Sequence, residues 1–259
     1  MPPPSEEPRF LHVHGVVRAD HPLPDSAVGV GCPAGPPTLL PEGPLAAVVS
    51  RTHEEPRARR RDLTAHHDLL LSLASGGPVL PMRFGTVAPD EGTVRALLSR
   101  ELGRYPAALD RVEGRVEMNL KVLPREESVP DLVRSDPGLG RLYRETRRRP
   151  GYETRLRLGE RIADALGRRT AEAARETLRR LESRTVAGVP GPPVAGCSAN
   201  FSFLVERAGV ARFLEEAERC AARAAPYAEL RVTGPLPCFS FVPEAPAATG
   251  TRGPRAGVA

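Results

Sequence analysis

The 259-residue chain predicts a mixed α+β protein of two domains. Up to about residue 123, strand-like segments alternate with helical ones, as is typical of a sheet covered by helices on one face. A loop rich in proline and acidic residues then leads into a highly charged helical stretch, after which strand, helix and strand patterns return. Because 40% of the residues are hydrophobic, each domain can bury a core.

The first elements follow from apolar runs and their punctuation. "RFLHVHGVV" and "PLAAVVS" predict strands separated by a long Pro/Gly-rich surface loop. "DLTAHHDLLLSLAS" has helical spacing, with Asp62 as the predicted N-cap and Gly76-Gly77 as the predicted end. "PVLPMRFGTVA" predicts a strand, and Asp90 is expected to cap the helix "EGTVRALLSREL", which continues in "AALDRVE".

The clearest local signal is "RVEMNLKV", in which polar and apolar residues alternate strictly. Its apolar members are Val116, Met118, Leu120 and Val122. This period of two predicts a strand covered on one side. We expect this strand to belong to the N-terminal domain, which then spans residues 10–123.

The rest of the chain predicts a linker at residues 124–138 and a C-terminal domain at residues 139–243. "ETRLRLGERIADALGRRTAEAARETLRRLESR" carries an apolar stripe and predicts one long helix or an antiparallel helical hairpin. "NFSFLVE", "VARFLEEAERCAARAA" and "AELRVTG" then predict a strand, a helix and a strand. The Pro-, Gly- and Ala-rich tails, residues 1–9 and 244–259, are expected to be disordered.

The net charge of +5 raises the possibility of a nucleic-acid partner. Lys121 is the single lysine, so the basic residues are almost all arginine, a usage typical of a GC-rich genome. The densest basic runs, Arg57–Asp62 and Arg147–Arg149, contain no aromatic residues for base stacking. We therefore expect no nucleic-acid partner, although a basic nucleic-acid-binding or regulatory protein remains the alternative function.

Common catalytic and metal-binding motifs are missing or incomplete. "GVGCPA" fits a dinucleotide pattern, but its prolines prevent the required helix. "GCSAN" lacks the last glycine of a nucleophile elbow. His12 and His14 share a strand face and could chelate a metal, but His66 and His67 cannot both point one way on a helix, and the sequence identifies no third ligand. We predict no catalytic residue, no metal site and no cofactor.

The four cysteines form no CxxC pair, and no apolar run approaches the ~18 residues of a membrane span. The N-terminus also lacks the features of a secretory signal. These observations predict a cytoplasmic protein with no membrane partner.

The stretch "VLPMRFGTVAPDEGTV" predicts a bent strand. Pro81 interrupts the pattern of hydrogen-bond donors, and Gly85 allows a backbone angle that other residues avoid. Arg83 is expected to reach across the bend to carbonyls or a carboxylate, and Phe84 is expected to pack inward.

These segments also resemble a known family. "VLPMRFGTV", with "HGVVRAD", "LAAVVS", "EGTVRALL" and "GRVEMNLKV", is similar to the gas vesicle accessory proteins of the F/L type. "NFSFLVE" and "LRVTGPLPCFSFV" resemble the second conserved block of that family, whose closing motif usually reads Thr-Gly-Pro-Trp-Pro-Pro-Tyr-Ser-Phe. Here Leu236, Cys238 and Phe239 replace the Trp, the second Pro and the Tyr of that motif. The resemblance covers residues 10–243.

The resemblance implies a modified ferredoxin-like N-terminal domain and a C-terminal α+β domain with long helices. It implies a non-enzymatic, gas-vesicle-associated protein that binds the main hydrophobic shell protein and other accessory proteins. Such a protein would assist nucleation or growth of the shell, including as a minor vesicle component. The candidate partner-binding or structural residues are Pro81, Arg83, Phe84, Gly85, Thr86, Thr233, Gly234, Pro235, Phe239 and Phe241. The alternative is that both motifs only hold the domains together.

Overall fold

The structure, a computed structural model, describes residues 10–24, 27–31, 35–53 and 56–243. The predicted tails, residues 1–9 and 244–259, lie outside these ranges, as does the Cys32–Ala34 part of "GVGCPA". The described residues form two antiparallel sheets and seven α-helices, which confirms the α+β class. None of the described helices is long and apolar enough to cross a membrane.

The strands are β1 (Phe10–Arg18), β2 (Thr38–Glu42), β3 (Leu45–Thr52), β4 (Leu80–Pro81), β5 (Val87–Ala88), β6 (Arg115–Pro124), β7 (Ala187–Pro190), β8 (Ala199–Glu206) and β9 (Ala228–Leu236). The helices are α1 (Arg60–Gly76), α2 (Glu91–Glu101), α3 (Tyr105–Val112), α4 (Val129–Ser135), α5 (Pro137–Arg148), α6 (Tyr152–Glu182) and α7 (Val210–Ala224).

The first compact unit contains the described residues up to Arg111, together with Phe241 and the two residues after it. Its sheet has the order β2-β3-β1-β4, and β5 pairs with β1 beyond β4. Helix α1 covers the sheet through a buried apolar cluster, whose members are Val17, Ala46, Val48, Leu69, Leu70, Leu73 and Val79. At Gly15, a Cβ atom would lie 2.9 Å from the Leu80 carbonyl oxygen, so a side chain there would push β4 away from β1.

The ends of the first two helices test the predicted caps. Gly77 ends α1 as expected, and its N–H donates to Leu73 O at 3.2 Å. Asp90 caps α2, since its Oδ1 accepts a 2.7 Å hydrogen bond from the Thr93 N–H. The prediction for Asp62 is wrong, because α1 begins at Arg60 and Asp62 is already helical. Its buried carboxylate lies in the first turn, where the helix dipole favours negative charge.

The second compact unit spans Val112–Ser240, and its sheet has the order β7-β8-β6-β9. The expected boundary near residue 123 is therefore displaced, because β6 pairs with β8 and β9 and not with the first sheet. The alternation of "RVEMNLKV" is confirmed, since all four of its apolar side chains are buried. They pack with Leu181 of α6, Phe203 of β8 and Phe213 of α7.

The predicted linker is folded. Glu126–Ser128 forms a short 3-10 turn and α4 follows, with Leu132 buried against Leu139, Ala165 and Leu166. The alternatives for the charged stretch are resolved in favour of one helix, since α6 runs unbroken for 31 residues. Of the apolar stripe predicted along it, Leu166 and Leu181 are buried, whereas Leu156 near the start of the helix is 49% exposed. Its other large members, Ile162 and Leu178, are half-buried.

Candidate functional site

The predicted bent strand is an interrupted edge of the first sheet, residues Leu80–Ala88, which we call the edge segment. β4 pairs with β1 at Gly15 and Val16, and β5 pairs with β1 at Leu11 and His12. Between the two short strands the chain turns, with the Thr86 N–H donating to Arg83 O at 3.1 Å. The turn is possible because Gly85 has φ +85°, which glycine adopts without strain.

The turn carries two side chains that differ in exposure. Arg83 is exposed, and the predicted contact with a carbonyl or a carboxylate is not formed among the described residues. Phe84 is half-buried, and its ring centroid lies 5.5 Å from that of His12 and 5.7 Å from that of His66. The Thr86 hydroxyl donates to Arg83 O at 2.7 Å, which fixes the turn from within. Pro81 is buried in β4. The edge segment therefore presents a free guanidinium on a constrained turn.

Behind the turn lie three buried histidines, which we call the histidine cluster: His12 and His14 on β1 and His66 on α1. His14 Nδ1 lies 3.1 Å from His66 Nδ1, and His14 Nε2 lies 2.9 Å from Ser50 Oγ. His66 Nε2 lies 3.0 Å from Met82 O. The Gly85 N–H donates to His12 Nε2 at 3.1 Å. The cluster thus connects β1, β3 and α1 to the edge segment.

These contacts fix the tautomers. The Met82 carbonyl can only accept, so His66 carries its proton on Nε2 and accepts at Nδ1. His14 must then donate from Nδ1, and its Nε2 accepts from the Ser50 hydroxyl. His12 accepts from Gly85 at Nε2, so its proton sits on Nδ1, a buried atom with no hydrogen-bond partner among the described residues.

Burial keeps the cluster neutral. It lowers the pKa of His12 to about 3, with repulsion from His66 adding to the effect. It lowers the pKa of His14 to about 2, with added repulsion from His12 and His66. Burial also lowers the pKa of His66, although the bond to Met82 opposes this. At neutral pH the three rings therefore carry no charge.

The closing motif, Thr233–Phe241, is mostly built into the second unit. Thr233 lies on the edge strand β9 and pairs with Asn119 of β6. Gly234 has φ +148°, and a Cβ atom there would lie 2.6 Å from Met118 Sδ. Ser240 donates to the buried Glu117 from its N–H at 2.8 Å and from its hydroxyl at 2.7 Å. This end of the motif therefore has a structural role.

The remaining candidates of the motif differ in exposure. Thr233, Gly234 and Pro235 are exposed, and Phe239 is 37% exposed. Phe241, assigned to the first unit, is buried, and the Arg111 guanidinium lies 5.9 Å from the centre of its ring. The exposed part of the motif thus comprises its first three residues, Phe239 and Ser240, and of these Ser240 is engaged by Glu117.

Two residues of the histidine cluster and the closing motif's contacts, His66 and Glu117, were not predicted from the sequence. His66 was considered only with its neighbour His67, yet it lies on the buried face of α1 with Leu69, Leu70 and Leu73. That helical spacing could have identified His66 as a buried residue of α1, although not its contact with His14. Glu117 occupies a polar position of an alternating strand, and nothing in the sequence marks its burial.

Other motifs behave as expected. "GCSAN" leads into strand β8 and not into a helix, which agrees with its rejection as a nucleophile elbow. The described arginines of the basic runs, Arg57, Arg59–Arg61 and Arg147–Arg149, are exposed. They form solvated surface on each unit taken by itself.

Comparisons with known proteins agree with one another. Residues 10–243 match the family described as gas vesicle synthesis protein GvpL/GvpF. Gas vesicle protein F of Streptomyces sp. (strain CB03234) is 39% identical over 235 residues, covering 89% of this chain and 98% of that protein. Gas vesicle protein L of the same organism is 33% identical over 255 residues, covering 90% of this chain and 92% of that protein.

Solved structures share the fold. The crystal structure of GvpF from Microcystis aeruginosa has a TM-score of 0.71 at 19% identity, covering 91% of this chain and all of that one. GvpF from Anabaena sp. PCC7120 has a TM-score of 0.74 at 18% identity, covering 91% and 99% of the two chains. The sequence match over nearly all described residues, together with the shared α+β fold, shows that the chain belongs to the GvpL/GvpF family of gas vesicle proteins.

Proposed function

We propose that this chain is a cytoplasmic, gas-vesicle-associated assembly factor that binds the main hydrophobic shell protein through the edge segment. In this role it assists nucleation or growth of the shell. Family membership supports an accessory role in gas vesicles, and the shell protein and other accessory proteins are the partners that we propose. The proposed role is non-enzymatic.

The observation that carries the proposal is the free side of the edge segment. β4 and β5 pair with β1 on one side, and no described strand pairs with their other side. Such an edge can accept an added strand from a partner, with main-chain hydrogen bonds providing affinity. A hydrophobic shell subunit that awaits assembly presents apolar faces and strand edges that would otherwise aggregate.

Arg83 gives this edge its specificity. It is exposed on a turn whose backbone is fixed by Gly85 and Thr86, so little ordering entropy is lost when a partner carboxylate or carbonyl meets the guanidinium. The closing motif contributes less, because Ser240 and Phe241 are engaged within the protein. Its exposed residues Thr233 and Phe239 offer a second contact.

The test is co-expression with the main shell protein of the same genome, followed by pull-down at low and high salt. We expect binding that survives high salt, and a loss of at least several-fold on Arg83→Ala with an unchanged melting temperature. Arg100→Ala, another exposed arginine of the first unit, is the matched control and should bind like the wild type.

Three results would count against the proposal. Undiminished binding by Arg83→Ala would remove the edge segment from the contact. Absence of binding by the folded wild type would contradict the shell-protein partner. Binding to DNA that weakens steeply with salt would favour the alternative of a basic nucleic-acid-binding protein.

A further inference from the structure

We propose that the histidine cluster is a metal site, which takes a late first-row transition ion such as Zn²⁺ through one ring nitrogen each of His12, His14 and His66. One ring nitrogen from each residue lies within 4.8 Å of the others, and all three side chains are buried. The proposal concerns the first unit alone and does not depend on shell-protein binding.

His14 and His66 are already close to ligand geometry. Tetrahedral zinc with Zn–N bonds of about 2.0–2.1 Å separates its ligand nitrogens by about 3.3 Å. The Nδ1 atoms of His14 and His66 lie 3.1 Å apart, so a small opening of the pair admits an ion. His66 Nδ1 carries no proton, and its lone pair now accepts from His14 Nδ1. Its Nε2–H donates to Met82 O at 3.0 Å. A bond of this kind to the far nitrogen is the usual support of a metal-bound imidazole.

His14 can become a ligand through a change of tautomer. Its Nδ1 now donates the proton to His66, and ligation requires that proton on Nε2 instead. Ser50 Oγ lies 2.9 Å from His14 Nε2, and a hydroxyl can rotate from donor to acceptor. The exchange therefore requires one hydroxyl rotation, after which the Ser50 hydroxyl no longer has His14 Nε2 as its acceptor.

His12 supplies the third nitrogen and links the site to the edge segment. Its Nδ1 is buried and has no hydrogen-bond partner among the described residues. Such burial is energetically unfavourable for a polar atom, and binding a metal ion would relieve it. Ligation through Nδ1 moves the proton to Nε2, where it would face the Gly85 N–H. The Phe84–Gly85 peptide must then turn over so that the Phe84 carbonyl accepts this proton.

The turn is built to allow this change. It carries the Thr86 N–H to Arg83 O bond and a positive φ at its third residue, Gly85, which is the signature of a type II turn. Turning over the central peptide converts type II to type I and keeps the same closing bond. Glycine is compatible with both forms. Metal binding would thus reset the backbone beside Arg83.

The ligand set selects the ion. Three imidazoles suit Zn²⁺, Cu²⁺ or Ni²⁺, whereas Mg²⁺ and Ca²⁺ require oxygen ligands. Each of the three histidines is 3% exposed or less, so a substrate cannot reach the ion, and a water molecule or small anion would complete the coordination. The site is therefore conformational and not catalytic.

The experiment titrates the EDTA-treated, dialysed full chain with Co²⁺ as a visible probe and then displaces Co²⁺ with Zn²⁺. We expect one ion per chain and the absorption bands of tetrahedral Co²⁺. The variants His14→Gln and His66→Gln should each lose at least tenfold in affinity. His67→Gln, one position along the same helix and outside the cluster, is the matched control and should keep wild-type affinity.

A second measurement avoids removing a histidine. The chain contains no tryptophan, so Phe84→Trp places a single fluorophore on the turn beside His12 and His66. Zn²⁺ should change its emission in a saturable 1:1 manner. The proposal is overturned if neither ion binds at micromolar concentration or if Zn²⁺ leaves the Trp emission unchanged. It is also overturned if both cluster variants keep full affinity, or if a cobalt–thiolate band shows that the ion is bound by cysteine.

Discussion

Lowering the pH from 7.5 to 5.5 should destabilise the protein through His12 and His14. In the unfolded chain both histidines bind a proton near pH 6.5, whereas in the folded protein burial lowers their pKa to about 3 and about 2. Protons therefore favour the unfolded state as the pH falls below 6.5, and the loss continues down to the folded pKa values. The stability that neutral His12 and His14 contribute is fully present only above pH 6.5.

The size of the loss follows from proton linkage. Between pH 7.5 and 5.5 a histidine that titrates at 6.5 only when unfolded lowers the free energy of unfolding by about 1.4 kcal/mol, so the pair contributes about 2.7 kcal/mol. His66, whose pKa is also lowered, adds in the same direction. Carboxylates with lowered pKa, such as Asp90 and Glu176, have ordinary values of 3.8 and 4.5 and titrate below this range.

The assay is urea unfolding at the two pH values, in EDTA, followed by circular dichroism. His14→Gln should reduce the pH-dependent loss by about 1.4 kcal/mol, whatever it does to stability at pH 7.5. Thr64→Ala, an exposed substitution on α1 that removes no titratable group, should leave the loss at its wild-type size. A wild-type loss below about 1 kcal/mol, or an undiminished loss in a His12→Gln/His14→Gln double variant, would refute the reasoning.

Substitutions at four further positions test backbone conformation, capping and hydrogen bonding. Gly234→Ala should lower the free energy of unfolding, measured by urea titration, by about 1–3 kcal/mol, because of the positive φ and the crowded Cβ position. Gly159→Ala, where a Cβ has open space within α6, should raise the free energy of unfolding by up to about 1 kcal/mol in the same titration. Asp90→Ala should lower the melting temperature by removing the cap of α2, and Asp90→Asn should restore most of it. Glu117→Leu should cost about 2 kcal/mol in the free energy of unfolding, since the Ser240 N–H and hydroxyl lose their acceptor, and an unchanged midpoint would contradict that role.

Local patterns predicted the elements well and their pairing poorly. The alternation of "RVEMNLKV" correctly identified a half-covered strand, because side-chain period is a local property. It could not reveal that β6 pairs with β8 and β9, since pairing depends on residues far along the chain. The Asp62 prediction assumed that the helix begins at a capping side chain. It failed because α1 begins at Arg60, where no side chain caps it.

The candidate site was predicted in part. Pro81 and Gly85 correctly indicated a distortion of the edge segment, since each restricts or extends backbone geometry by itself. The histidine cluster required the docking of α1 on β1, which places His66 3.1 Å from His14 across 52 positions of sequence. No spacing rule along a single strand or helix reports such a contact. Whether Arg83 or the closing motif binds a partner stays a prediction.

The order of strands in the second sheet has a consequence for synthesis on the ribosome. β6 is central, yet its neighbours arrive late, with 75 positions between Pro124 and Ala199 and β9 later still. At about 5–20 residues per second, β6 emerges about 4–15 s before its first partner strand. During that interval Met118 and Leu120 have no sheet to join, so nascent chains stalled before residue 199 should be the most prone to aggregate or to recruit chaperones.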